Sequence, residues 1–139
     1  MTREEKQLLL KDLSARLPYG VKGLAYIVGD PCLTNTNIVG IINESIVTDY
    51  ESPMLDLIDF NSKDIIIKPY LRPLSSMTEE EINEFILISD TVLWIGNKRS
   101  TCILSLEQMD WFNTHHFDYR GLIEKGLALP APEGMYNFK

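Results

Sequence analysis

Apolar and polar positions follow a helical period in three parts of this chain, and each part opens with the same signal. A hydroxyl residue is followed three positions later by Glu or Gln. In this capping box each side chain bonds the backbone N–H of the other residue, which starts a helix. The boxes begin at Thr2, Thr78 and Ser105 and predict helices over residues 3–15, 79–88 and 106–114.

The apolar stripe of each predicted helix indicates which face is buried. In the first helix, Leu9, Leu13 and Leu17 recur at intervals of four, so we expect this stripe to face the core. Asp12 is expected on the opposite, solvated face. In the second helix we expect Ile82 to be buried.

The segments between the helices are short and rich in β-branched residues, which is typical of strands. Asn43 and Glu44 lie at the tip of an expected hairpin. Pro69 is expected at a sheet edge because proline has no N–H to donate. Residues 54–60 fit either a strand or a short helical turn. The expected strands are residues 21–28, 38–42, 45–48 and 65–67, with a further hairpin over 92–95 and 101–104 around a turn at 96–99.

This order of elements predicts an α+β fold in one domain over residues 1–139. The expected architecture is an N-terminal helix, a small curled antiparallel sheet, two further helices and a loop-rich C-terminal tail. The pattern leaves open whether the sheet closes like a barrel. The tail beyond Arg120 is expected to hold at most one short turn, since glycine and proline punctuate it.

Charge narrows the classes of function. The formal net charge is −7, although residues 1–25 carry five Lys or Arg against three Asp or Glu. A negative field repels phosphate backbones and therefore disfavours nucleic acid as a partner. No apolar stretch reaches the roughly 20 residues that cross a bilayer. The two cysteines, Cys32 and Cys102, lie far apart in the sequence, and we expect both to be reduced and buried. The composition therefore predicts a cytoplasmic protein.

One segment, residues 110–120, gathers aromatic, acidic, imidazole and guanidinium side chains. We expect it to form a helix end whose side chains pack in the core, and it is also the best candidate surface for a protein partner. An alternative interpretation is a metal-binding or hydrolytic site around the His-His-x-Asp sequence. The candidate residues are Trp111, His115, His116, Asp118, Tyr119 and Arg120.

A second candidate is a basic and aromatic strip along the last strand before the second helix. Lysine and arginine can contact phosphates, and an exposed tyrosine can stack on a base, so the strip favours a nucleic-acid-binding module as the alternative function. Its residues are Lys63, Lys68, Tyr70 and Arg72.

Four segments carry a resemblance to other proteins. They are MTREEKQLLLKDLSARLPYGV (1–21), KPYLRPLSSMTEEE (68–81), DWFNTHHFDYRGLIEKGLAL (110–129) and APEGMYN (131–137). In these segments the chain resembles small uncharacterised proteins of gut anaerobic bacteria and their phages or prophages. The resemblance implies a mobile-element setting and brings no activity with it.

No arrangement of residues forms a convergent catalytic set, and no spacing predicts a cofactor or metal site. We therefore expect a non-enzymatic accessory or interaction protein of phage or prophage origin, which acts in the cytoplasm through contacts with a protein partner.

Overall fold

The first helix begins and ends where local signals place it. In the computed structural model, helix α1 spans Arg3–Arg16 and continues into a 3-10 turn at Leu17–Tyr19. The Glu5 amide donates to Thr2 Oγ1 at 3.1 Å, which confirms the first predicted cap. Gly20 ends the turn at a φ of 74°, a conformation that glycine adopts without strain. The structure describes residues 2–50, 57–59, 62–88, 94–95, 98–99 and 106–136.

The strands form one main sheet and one small hairpin. All neighbours in the main sheet are antiparallel except its last pair, β5 with β8, which is parallel. The order in the main sheet is β4-β3-β2-β1-β5-β8, and β6 pairs with β7. The strands are β1 (Lys22–Ile27), β2 (Leu33–Ile42), β3 (Ser45–Thr48), β4 (Leu57–Asp59), β5 (Ile65–Leu71), β6 (Trp94–Ile95), β7 (Lys98–Arg99) and β8 (Leu129–Pro130).

The α+β prediction is confirmed, and the sheet formed by the described residues is open rather than closed. Two details differ from the expectation. The tail contributes the short parallel strand β8, which no local pattern indicated. The second strand of the β6–β7 hairpin begins at Lys98, inside the stretch expected to turn, while the predicted strand at 101–104 lies outside the described residues.

The turn between β2 and β3 shows how the chain forms a hairpin without glycine. Asn43 adopts a φ of 54°, and it is the only one of the two turn residues with a positive φ. Asparagine tolerates this left-handed region better than most residues. The positive φ of the turn therefore falls on Asn43, and Glu44 keeps a negative φ.

The remaining helices are α2 (Glu79–Ile88) and α3 (Leu106–Thr114), as predicted. The second capping box is reciprocal: Thr78 N donates to Glu81 Oε1 at 3.1 Å, and Glu81 N donates to Thr78 Oγ1 at 3.2 Å. The box at Ser105 lies outside the described residues. The expected burial of Ile82 is wrong, because α2 packs on α3 through Phe85 and leaves Ile82 43% exposed.

Among the described residues, two apolar clusters hold the elements together. The first joins α1 to the inner face of the sheet through Leu9 and Leu13. The second is aromatic, with the Phe85 and Phe112 rings 4.7 Å apart. The placement of Asp12 on a solvated face is wrong, because its side chain is fully buried beside that of Arg16.

Within the described part of the chain, no helix is both long and apolar enough to span a bilayer. Cys32 is an exposed free thiol, so the expected burial of this residue is wrong. Cys102 lies outside the described residues.

Candidate functional site

The aromatic residues of the predicted partner surface form core rather than an exposed platform. Trp111 and Phe117 are 6% and 0% exposed, and their rings stack with centroids 5.6 Å apart. Phe112 packs against both rings. Trp111 therefore has too little accessible surface to anchor a partner.

The two histidines of the same segment point in different directions. His115 Nδ1 lies 2.9 Å from the carbonyl oxygen of Trp111, one turn earlier in α3. His116 Nε2 lies 3.0 Å from the carbonyl oxygen of Tyr19, across the molecule, and its ring stacks on Tyr136 at 4.0 Å. Burial lowers the pKa of His116 to about 4, so the ring is neutral at ordinary pH.

Asp118 does not complete a site with these histidines. Its carboxylate accepts hydrogen bonds from Leu122 N at 2.8 Å and from Ile123 N at 3.0 Å, as a capping aspartate does. Within the described ranges, no three His, Cys, Asp or Glu side chains come close enough together to hold a metal ion. The described residues of this segment thus form no cluster of metal ligands.

Tyr119 and Arg120 belong to a buried polar junction that sequence reasoning missed. Asp12 pairs with Arg16 at 2.8 Å and with Arg120 at 3.3 Å. Arg16 also donates to the carbonyl oxygen of Phe117, and Arg120 donates to the Tyr119 hydroxyl at 3.0 Å. These bonds tie α1 to the segment after α3, so this junction has a structural role.

Two of the four residues of the basic strip, Tyr70 and Arg72, bond other side chains of this chain. Arg72 donates to both carboxylate oxygens of Glu81, at 2.7 and 2.6 Å, and its guanidinium lies 4.2 Å from the centroid of the Phe117 ring. The bonds from Arg72 lower the pKa of Glu81 to about 2. Tyr70 is buried and donates to Asn35 Oδ1 at 2.8 Å. Neither Tyr70 nor Arg72 is therefore presented to a nucleic acid.

The other half of the strip, Lys63 and Lys68, lines a cleft between the start of α1 and the β4–β5 region. The cleft has a volume of about 960 Å³, which is ample for a short peptide or a small ligand. Residues from the turn before β8 close its third side. The apolar part of the lining comprises Leu9, Leu10, Ile58, Ile65, Ile66, Ile67 and Leu127.

The rim of this cleft is positive although the chain as a whole is negative. Among the described residues, its lining holds five cationic side chains and three carboxylates, a net formal charge of +2, whereas the whole chain carries −7. Lys6 and Glu44 pair across the rim at 2.7 Å. The cations are Arg3, Lys6, Lys63, Lys68 and Lys125, and the carboxylates are Glu5, Glu44 and Asp59.

The cleft also contains backbone of an incompletely paired strand. β4 and β5 follow each other in sequence and have Cα atoms within 8 Å, yet they form no ladder with each other. On the side of β5 away from β1, the pairing among the described residues is that of β8 with Tyr70 and Leu71. Residues 65–68 of β5 line the cleft.

Of the five cations that the described residues contribute, the sequence indicated Lys63 and Lys68 and gave no indication of Arg3, Lys6 and Lys125 as members of the same site. The excess of positive charge in residues 1–25 was the one signal that pointed to Arg3 and Lys6. The chain matches no known protein family, no curated protein and no solved structure.

Proposed function

We propose that this chain is a non-enzymatic accessory protein that binds a protein partner, and that the cleft beside α1 receives an acidic segment of that partner. The observation that carries the proposal is the positive rim over an apolar floor in an otherwise acidic molecule. Opposite charge on a partner segment would steer its approach and fix its position, while the floor supplies apolar contact.

The character of the lining favours a peptide over a nucleic acid. A phosphate backbone could contact the cations of the rim, but it would leave the apolar floor of the cleft uncovered. The tyrosine expected to stack on a base, Tyr70, is engaged with Asn35 instead. Apolar side chains of a peptide, by contrast, can occupy the floor next to Ile65.

A non-catalytic role is supported by the hydrogen bonds of the polar side chains at the end of α3 and just after it, because these bonds hold the side chains to the backbone of this chain. His115, His116 and Asp118 each bind backbone atoms of this chain, in three different directions. The proposed setting is the cytoplasm of a bacterium that carries a phage or prophage. The resemblance of four segments supports the mobile-element setting, and the free thiol of Cys32 fits a reducing compartment.

The proposal is tested with a defined probe. A fluorescein-labelled peptide of about nine alternating Glu and Val residues exceeds the length of the cleft edge and carries one acidic and one apolar face. We expect fluorescence anisotropy to report saturable binding of this peptide in low salt, and weaker binding in about 0.5 M salt because charge attraction is screened. A peptide with Lys in place of Glu is expected not to bind.

Matched charge reversals locate the binding site. Lys63→Glu and Lys125→Glu change exposed residues of the cleft, and Lys11→Glu makes the same change of charge at an exposed position of α1 outside it. We expect each cleft variant to weaken binding by about tenfold, and Lys11→Glu by less than about twofold. Absence of saturable binding by the wild-type chain, or equal losses in all three variants, would overturn the proposal.

A further inference from the structure

We propose that the partner segment binds in an extended conformation and adds to the edge of β5 as a new strand inside the cleft. This inference rests on the proposed function and specifies how the acidic segment is recognised. Strand addition is a recurrent mode of peptide binding, in which main-chain hydrogen bonds supply affinity and alternate side chains supply specificity.

The direction of the β5 backbone groups follows from one hydrogen bond. Val28 N donates to the carbonyl oxygen of Asp64 at 2.7 Å, so the Asp64 backbone faces β1. Backbone groups in an antiparallel strand alternate in direction from residue to residue. Ile66 and Lys68 therefore also bond toward β1, whereas Ile65 and Ile67 turn their backbone groups toward the cleft.

The far end of the same edge is already used by the protein itself. The carbonyl oxygen of Leu71 accepts from Ala131 N at 2.8 Å, where the chain of β8 runs parallel to β5. Pro69 has no N–H to offer, as expected for a proline at a sheet edge. β8 thus shows that this edge accepts a parallel strand, and its pairing begins at Leu129 opposite Tyr70, so it does not extend back to Ile67.

The part of the edge in the cleft retains a donor and acceptors for an incoming chain. Ile65 N donates to Ser62 Oγ at 3.3 Å, so its amide has a partner. Among the described residues, β5 pairs only with β1 and β8, and β8 does not reach Ile67. The N–H and carbonyl of Ile67 and the carbonyl of Ile65 are consequently in position to bond an added strand.

Side chains around this edge fit a segment in which acidic and apolar residues alternate. Along β5 itself, Ile67 points into the apolar core while Lys68, next to it, lies half-buried among the cleft residues. A neighbouring strand repeats this alternation, since successive side chains point to opposite faces. Its apolar residues would meet the floor formed by Leu9 and Ile58, and its acids would meet Lys68 and Lys63.

The same lysines disfavour a second copy of this chain as the occupant. If two β5 edges paired, the Lys68 and Lys63 residues of both copies would approach one another. Like charges on adjacent strands are destabilising, and lysine at an edge is a common device against edge-to-edge association. The edge is therefore suited to an acidic strand, and its lysines disfavour pairing with the same edge of a second copy of the chain.

Amide hydrogen exchange measured by NMR tests the strand directly, with internal controls. In the free protein we expect the Ile67 amide to exchange at least about tenfold faster than those of Ile66 and Lys68, which bond to β1. Saturation with the alternating Glu-Val peptide is expected to slow exchange at Ile67 at least about tenfold, and to leave Ile66 and Lys68 within about twofold.

Backbone methylation of the peptide provides a second measurement. Two versions carry N-methyl groups on alternate amides, one version on the odd set and the other on the even set. In a strand only one set faces β5, so we expect one version to bind about tenfold more weakly and the other to bind like the parent peptide. Side chains and charge are identical in the two versions.

The outcomes separate this inference from the function on which it rests. Binding that depends on Lys63 and Lys125, but with equal effects of both methylation sets or unchanged exchange at Ile67, would overturn the added strand and leave the acidic-segment function standing. Failure of the parent peptide to bind would overturn both. Slowed exchange at Ile67 together with unequal methylation effects would support both.

Discussion

Asp12 and Arg16 form an ion pair with 2.8 Å between Oδ2 and Nε, and both side chains are fully buried. They lie one turn apart in α1 and connect this helix to the segment after α3, where Arg16 bonds the backbone of Phe117 and Arg120 approaches Asp12. α1 is also one wall of the cleft. The ion pair thus fixes the position of that wall relative to the rest of the molecule.

Removal of one member of this pair is expected to destabilise the fold severely. Asp12→Ala leaves Arg16 buried without its carboxylate, a change that typically costs about 3–5 kcal/mol. The measurement is the free energy of unfolding in urea. Glu44→Gln is the control, because it breaks a pair whose carboxylate is 57% exposed and is expected to cost less than about 1 kcal/mol. A loss below about 1 kcal/mol for Asp12→Ala would contradict the structural role assigned to the pair.

Local patterns in the sequence predict the helices and most of the strands. They do not predict contacts between elements that lie far apart in the sequence. The capping box of Thr78 and Glu81 spans three residues, so its pattern can be read directly. The burial of Asp12 depends on Arg16 and on Arg120 from the far end of the chain, and an aspartate beside lysines in a helix otherwise indicates a solvated face.

The cleft was predictable only in part for the same reason. Lys63 and Lys68 lie close in sequence, so the sequence alone indicates them as a basic strip. Lys125 joins them only because β8 runs beside β5, and a strand of two residues leaves no periodic trace in sequence. Arg72 fits the strip by its charge, but the carboxylate that binds it, Glu81, lies nine residues later, and the capping box predicts only a local role for that side chain.

Acid is expected to weaken the link between β5 and α2. The Arg72 bonds lower the folded-state pKa of Glu81 from 4.5 to about 2, so its contribution to stability is complete above pH 4.5 and is lost as the pH falls toward 2. The loss is expected to be about 1–2 kcal/mol, because solvent screens part of the interaction at this partly exposed pair. The difference in unfolding free energy between wild type and Glu81→Gln should shrink over this range, and a pH-independent difference would speak against the paired carboxylate.

His116 is expected to produce a separate loss of stability at higher pH. Burial lowers its folded-state pKa from 6.5 to about 4, so the unfolded chain takes up the proton first. Stability is therefore complete above pH 6.5 and falls by up to about 3 kcal/mol as the pH drops toward 4. His116→Asn tolerates the φ of 58° at this position and should remove this slope. NMR titration that finds the His116 ring charged at pH 5.5 in the folded protein would be the opposite result.

The most direct test of the cleft as a binding site is a reversal of its specificity. The double variant Lys63→Glu/Lys125→Glu turns the rim from positive to negative at two exposed positions. Anisotropy titrations compare this variant and the wild-type chain with the Glu-Val peptide and with its Lys-Val counterpart. We predict that the wild type binds only the acidic peptide and that the double variant binds only the basic one. If both chains bind both peptides alike, the cleft does not select its partner by charge, which contradicts its proposed role as a site for an acidic segment.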